Sequence, residues 1–181
     1  NIALVVTPPD RKKGRGKKTK SCTVKETALQ NNLPVLQPNS LKDDEFIKQI
    51  KSLKADLFVV VAFRMLPEII WRIPEKGTIN LHTSLLPNYR GAAPINWVLI
   101  NGENETGITT FFINEKIDCG NIIMQKKVSL SIDTTAAQLH NILIIKGGEI
   151  LLETIRMIEN NRMTSTPQNG EKEIFRAPKL T

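Results

Sequence analysis

"GTINLHTSLLPNYRGAAPINW", residues 77–97, alternates and then breaks. Gly77 to His82 carries the period of a β-strand, which turns Asn80 and His82 to the same face. Pro87, Gly91 and Pro94 then interrupt regular pairing and turn the segment into a loop. His82, one of two histidines in the chain, therefore stands at the carboxyl end of a strand with Asn80 beside it.

The flanking sequence supplies the rest of an α/β pattern. Upstream, "ADLFVVVAF" (55–63) is a nearly continuous apolar run, expected as a strand covered on both faces. "LKDDEFIKQIKSL" (41–53) places Phe46, Ile47, Ile50 and Leu53 at helical spacing, and "PEIIWRI" reads as a short helix with Pro67 in its first turn. "NIALVVT" (1–7) is expected as a buried strand and "TVKETALQNN" as a short helix. Downstream come a helix over about 92–102 and two strands, "TGITTFFI" and "NIIMQKKVSLS". A long helix follows over about 134–161, capped by Asp133 or Thr135 and weakened by Gly147 and Gly148.

Strands alternating with helices predict a Rossmann-like, mostly parallel sheet with helices on both faces. Ligands of such sheets bind beyond the carboxyl ends of the strands. That rule groups Arg64, Met65 and Leu66, which follow the Val-rich strand, with Asn80 and His82. Residues 1–162 are expected as one domain. Residues 163–181, polar and rich in turn formers, are expected as a linker or tail.

The 181 residues are 40% hydrophobic, which suits a folded domain and excludes a disordered chain. No apolar run reaches the ~20 residues that cross a bilayer, so no membrane association is expected. Cys22 and Cys119 lack metal-ligand spacing and are expected as free thiols, which points to a cytoplasmic location. No metal cluster, P-loop, GxGxxG or serine nucleophile elbow is present in the sequence. His140 has no evident chemical partner and is expected on a helix surface or in a core.

The net charge of +7 is concentrated in residues 8–25, which hold eight Lys or Arg and one Asp. The remainder of the chain is neutral. Such a run is often a solvated loop. Its density, its mixture of arginine with lysine, and Gly14 and Gly16 favour a phosphate-rich partner.

A histidine at a strand end can move protons at neutral pH, since an imidazole ordinarily titrates near ~6.5. An adjacent Asn amide can donate to a developing oxyanion. Asp118, in the Gly-containing turn of "NEKIDCGNII" (114–123), offers the carboxylate that would orient the imidazole. The set suits acyl transfer to an amine. Spacing alone equally allows His82 as a core histidine and Asn80 as a turn former.

"NLHTSLLPNYRGAAPINW", followed in order by "ETGITTFF" and "IDCGNII", closely resembles the formyltransferase family that uses 10-formyltetrahydrofolate. "GAAPI" together with "PPDRKKGRGKK" resembles the branch acting on methionyl-tRNA. The resemblance implies Asn80, His82 and Asp118 as the catalytic residues. Folate-site residues would be Arg64, Met65 and Leu66 together with Ser84, Leu85, Leu86 and Pro87. It further implies that Arg11, Lys12, Lys13, Arg15, Lys17, Lys18 and Lys20 meet the acceptor stem of initiator methionyl-tRNA. The expected cosubstrate is 10-formyltetrahydrofolate, without metal, and the expected state is a monomer. Family members usually carry a strand and helix before the segment matching residue 1, and a small β-barrel after "APKL". Neither lies within these 181 residues. The rival readings are a sugar-nucleotide N-formyltransferase and a non-catalytic RNA-binding module on the same fold.

Overall fold

The computed structural model describes residues 1–13, 18–168 and 175–180, with residues 12, 13 and 18–20 as backbone only. The chain divides into two compact units. One comprises residues 1–56 and 63–75, the other residues 57–62 and 76–181.

In the first unit, β1 (Val5–Val6) pairs in parallel with β4 (Val35–Leu36). Between them, β2 (Arg11–Lys13) and β3 (Lys18–Lys20) form an antiparallel ladder, and α1 (Thr23–Gln30) ends at Asn31. The basic segment, expected as a plain loop, is therefore strand-paired on both flanks, while Gly14, Arg15, Gly16 and Lys17 lie outside the described residues. Its base is tied down. Lys25 Nζ donates to Asp10 Oδ2 and Gln37 Oε1, both at 2.6 Å, and Gln37 Nε2 donates to Asp10 Oδ1 at 2.9 Å. The Lys25 ammonium, helped by the Gln37 amide, holds the Asp10 carboxyl below its ordinary range. α2 (Asp44–Ser52) starts where Asp43 accepts the Phe46 N–H, and it buries Phe46, Ile47 and Ile50. Leu53 falls just after the helix and is exposed. α3 (Glu68–Trp71) follows Pro67, which occupies the N-cap.

The second unit is built on a four-stranded sheet, in the order β5 (Phe58–Val61), β6 (Thr78–His82), β8 (Glu105–Phe112), β9 (Ile122–Ser129). β5 and β6 run parallel, as expected. The β6–β8 and β8–β9 pairs run antiparallel, so the α/β fold stands on a more mixed sheet than anticipated. Residues 113–121 are too short to carry the crossover that a parallel β8–β9 pair would need. β5 also departs from the expectation of cover on both faces: its exposure alternates, with Val59 and Val61 open.

α5 (Ala136–Glu159) covers one face of this sheet. A capping box fixes its start: the Thr135 hydroxyl accepts the Gln138 N–H, and Gln138 Oε1 accepts the Thr135 N–H. Leu139, Leu143 and Ile150 bury against Ile108 and Val128, with Leu81 packed beside them. Each such aliphatic side chain contributes about 1.5–3 kcal/mol when taken from water. Thr154, fully buried on the same helix, shares a hydrogen bond with Thr110 of β8 at 2.8 Å. His140 is on the exposed side of α5.

The two glycines expected to weaken this helix are both inside it. Gly147 faces Leu81, whereas nothing lies within 4 Å of a Cβ placed on Gly148. Gly148→Ala should therefore raise unfolding stability by about 0.5–1 kcal/mol, read by chemical denaturation, because it removes backbone freedom from the unfolded chain without a clash.

Two short elements complete the unit. α4 (Pro94–Ile100) begins with Pro94 and buries Val98. β7 (Arg90–Gly91) pairs in parallel with β10 (Arg176–Ala177), so part of the polar C-terminal segment is packed structure.

Candidate active site

β6 decides where the chemistry sits. Leu81 belongs to the α5-facing core, so strand alternation turns Asn80 and His82 to the opposite face. In register, Asn80 lies opposite Phe111 and His82 opposite Thr109 of β8. His82 and Asp118 are brought together: Nδ1 stands 3.8 Å from Asp118 Oδ2, with the two side chains only 7% and 13% exposed.

The other ring nitrogen is committed. His82 Nε2 lies 2.8 Å from the Tyr89 carbonyl oxygen. A carbonyl only accepts, so Nε2 carries the hydrogen and a neutral His82 has its lone pair on Nδ1. The nitrogen that faces Asp118 is thus the one able to take up a proton. Once protonated, the ring sits against a carboxylate with little solvent between them.

Tyr89 is held firmly enough for this purpose. Its backbone is left-handed, with φ of +61°, a conformation that a bulky residue keeps only when its surroundings impose it. Its hydroxyl donates to Glu103 and accepts from Asn101 Nδ2 at 3.1 Å, and its ring stacks on Phe175. Burial, then the hydrogen bond to Glu103, pushes the phenol up to about 12, so it remains a neutral donor.

Asp118 is likewise left-handed, with φ of +51°. Its Oδ2 accepts the Gly91 N–H at 3.0 Å. Gly91 needs to be glycine: its φ is +130°, and a Cβ there would stand 2.4 Å from the Ala177 carbonyl oxygen.

The expected folate residues divide between the two units. In the first, the Arg64 guanidinium donates to the Asn39 and Pro38 carbonyls at 2.9 and 2.7 Å, so its side chain holds a neighbouring loop. Met65 is exposed and Leu66 partly so. In the second, Ser84 and Leu86 are buried, and Leu85 and Pro87 are half-buried. The Ser84 hydroxyl closes a turn onto Asn88 O at 2.6 Å. Thr109 Oγ1 donates to Ser84 O at 2.6 Å and accepts the Leu86 N–H at 3.2 Å, while Gln125 Nε2 donates to Leu86 O at 2.9 Å. Ser84 and Leu86 thus support the segment, and Leu85 and Pro87 keep accessible surface.

A sequence profile described as formyl transferase matches residues 1–155. The chain belongs to the formyl transferase family. This formyl transferase chain is 50% identical over 180 residues to methionyl-tRNA formyltransferase of Flavobacterium johnsoniae, covering 99% of its own length and 57% of that protein's. The chain therefore spans little more than half the length of this curated relative. Among solved structures, it resembles phosphoribosylglycinamide formyltransferase from Anaplasma phagocytophilum, with a TM-score of 0.76 at 22% identity, covering 97% of this chain and 85% of that one. It also resembles the formyltransferase PseJ from Anoxybacillus kamchatkensis, solved with a UDP-sugar and tetrahydrofolate. That match has a TM-score of 0.67 at 20% identity and covers 96% of this chain and 85% of that one. At these identities the two structures speak to the fold.

Several residues around the His82–Asp118 pair carry little signal in the sequence. In the sequence Tyr89, Arg90 and Gly91 read only as part of the loop after His82, and their adjacency to it is the one signal they carry. Thr109 and Gln125 looked like ordinary strand residues. Gln168 lay in the supposed tail, yet it contacts Arg90 and the Asp118 backbone. No local pattern links residues so far apart in sequence. Among the described residues, no group of three His, Cys, Asp or Glu is arranged to hold a metal, both cysteines are free, and no helix is long and apolar enough to cross a membrane.

Proposed function

We propose that this chain is the catalytic part of an enzyme that transfers a formyl group from 10-formyltetrahydrofolate to the α-amine of methionine esterified to initiator tRNA. The observation carrying this reading is the His82–Asp118 pair at the end of the strand that also bears Asn80. The identity of 50% to a methionyl-tRNA formyltransferase supports the acceptor. Tetrahydrofolate in the PseJ structure supports the donor class.

In this mechanism the neutral amine attacks the formyl carbon, and the carbonyl becomes a tetrahedral oxyanion. The Asn80 amide donates a hydrogen bond to that oxygen. The new C–N bond leaves a proton on the attacking nitrogen. His82 Nδ1 takes it, with Asp118 stabilising the imidazolium, and returns it to the folate N10 as the C–N10 bond breaks. The outcome is formyl-methionyl-tRNA and tetrahydrofolate, with no net change in protons. Folate contacts are assigned to the backbone of residues 64–66 and, separately, to the accessible parts of Leu85 and Pro87. The basic residues Arg11, Lys12, Lys13, Arg15, Lys17, Lys18 and Lys20 are assigned to tRNA phosphates. A monomer in the cytoplasm suffices for this scheme.

Acceptor choice tests it. The protein is given 10-formyltetrahydrofolate together with equal amounts of charged initiator tRNA and a nucleotide-linked amino sugar. Formyl groups are expected on methionine. Formyl groups on the sugar alone would overturn the acceptor and favour the sugar-nucleotide reading.

A further inference from the structure

We propose that Gln168 is a positioning residue that sets the Asp118 carboxylate against His82 Nδ1. The inference rests on the acyl-transfer reading of these two residues and extends it to a side chain outside the catalytic set.

Gln168 uses both ends of its amide. Its Oε1 accepts from Arg90 Nη2 at 2.6 Å and Nε at 3.2 Å. Its Nε2 donates to the carbonyl oxygens of Asp118 at 3.0 Å and Gly120 at 2.8 Å. Arg90 Nε also donates to Asp118 O at 3.0 Å, which closes a ring of hydrogen bonds through residues 90, 118 and 168. The next peptide along from Arg90 supplies the Gly91 N–H that binds Asp118 Oδ2.

These bonds meet at a residue that needs them. Asp118 holds a left-handed backbone, which a non-glycine residue keeps when several contacts fix it. Two donors grip its carbonyl, and the direction of that carbonyl governs where the side chain leaves the chain. The separation of 3.8 Å to His82 leaves little latitude before the pair decouples. The hydrogen bonds of Gln168 reach Asp118 at its carbonyl oxygen and not at its carboxylate, so it acts through the Asp118 backbone.

The amide is itself anchored. Two residues earlier, Thr166 exchanges both backbone hydrogen bonds with Ile122, each at 2.8 Å, at the start of β9. The reach and chemistry of glutamine are both required. Methionine would fill the space without any hydrogen bond. Glutamate would keep the arginine partner but set a negative charge against two carbonyl oxygens.

The test compares Gln168→Met, Gln168→Glu and His82→Ala in the full natural protein, following kcat, KM for both substrates and the NMR signals of the His82 ring nitrogens. Gln168→Met should lower kcat by about 10- to 100-fold with KM changed by less than about 3-fold, because the loss is in alignment and not in binding. The ring-nitrogen signals should shift in the free enzyme. Gln168→Glu should lower kcat in the same way although it retains the bond to Arg90. Wild-type kcat with unmoved ring signals in both variants would overturn the proposal, as would lost stability with kcat and the ring signals intact. If His82→Ala kept its turnover, the acyl-transfer reading would fall instead, and the ring signals would still report whether Gln168 places Asp118.

Discussion

His82→Ala should lower turnover in formyl transfer by ~10²-fold or more while folate still binds, since removing a proton-transfer group has that order of effect. The geometry gives the reason. Nε2 is tied to the Tyr89 carbonyl, so Nδ1 alone is free to exchange a proton, and Asp118 faces it. Asp118→Ala removes the carboxylate that stabilises the imidazolium and should also lower turnover with folate binding largely kept. Steady-state kinetics and equilibrium binding of a folate analogue check both variants. Near-normal turnover of His82→Ala would show that another group moves the proton.

The second large effect concerns charge. Replacing Arg11, Arg15, Lys17 and Lys18 by alanine should flatten the dependence of tRNA affinity on salt by up to ~4 logarithmic units per decade, taking about 0.9 for each lost phosphate contact. Lys25 is excluded from the set because Asp10 and Gln37 already occupy its ammonium. The β2–β3 ladder brings Arg11 into register with Lys20, and Lys13 with Lys18, so residues 11–13 and 18–20 form a paired backbone ribbon. A segment with so many basic residues in its sequence needs a phosphate chain, or solvent, to offset its charge. The check is titration of tRNA at several salt concentrations, with folate affinity measured in parallel. An unchanged slope would reduce the segment to a solvated surface feature and withdraw the charge argument for tRNA. Lost folate affinity would mean that the segment serves the small-molecule site.

Both predictions begin from features the sequence displayed openly. A period of two placed Asn80 and His82 on one face, and the helical spacing of Phe46, Ile47 and Ile50 marked α2. Asp118 came from a turn motif and the resemblance, and the structure adds the left-handed backbone that aims it. Strand direction was less legible, because alternation is the same in parallel and antiparallel pairs. The clue was the length of the connection between β8 and β9. The Val-rich run suggested a strand covered twice, yet alternate valines are open. Composition reports how apolar a strand is and not which neighbours it meets.

The supports of the site were the hardest to read. Tyr89 contributes a carbonyl to His82, and any residue has one. What singles it out is its backbone conformation and the clamp of Glu103, Asn101 and Phe175 around its ring. Gln168 contributes ordinary amide hydrogen bonds to Arg90, Asp118 and Gly120 from a polar stretch with turn residues. Pairing of Gly91 with Ala177, which requires the absence of a Cβ, likewise joins segments with no shared local pattern. Long-range hydrogen bonds of this kind leave no periodic trace in a single chain.

The central claim is that His82 and Asp118 act as one proton-handling unit in formyl transfer. A double-mutant cycle on kcat tests it most directly, using His82→Ala, Asp118→Ala and the two together, with 10-formyltetrahydrofolate and charged initiator tRNA at saturation. Groups that act as a unit are strongly non-additive, so the double variant should be about as slow as the slower single one. Losses that multiply would mean that the two residues work independently, and would contradict the account.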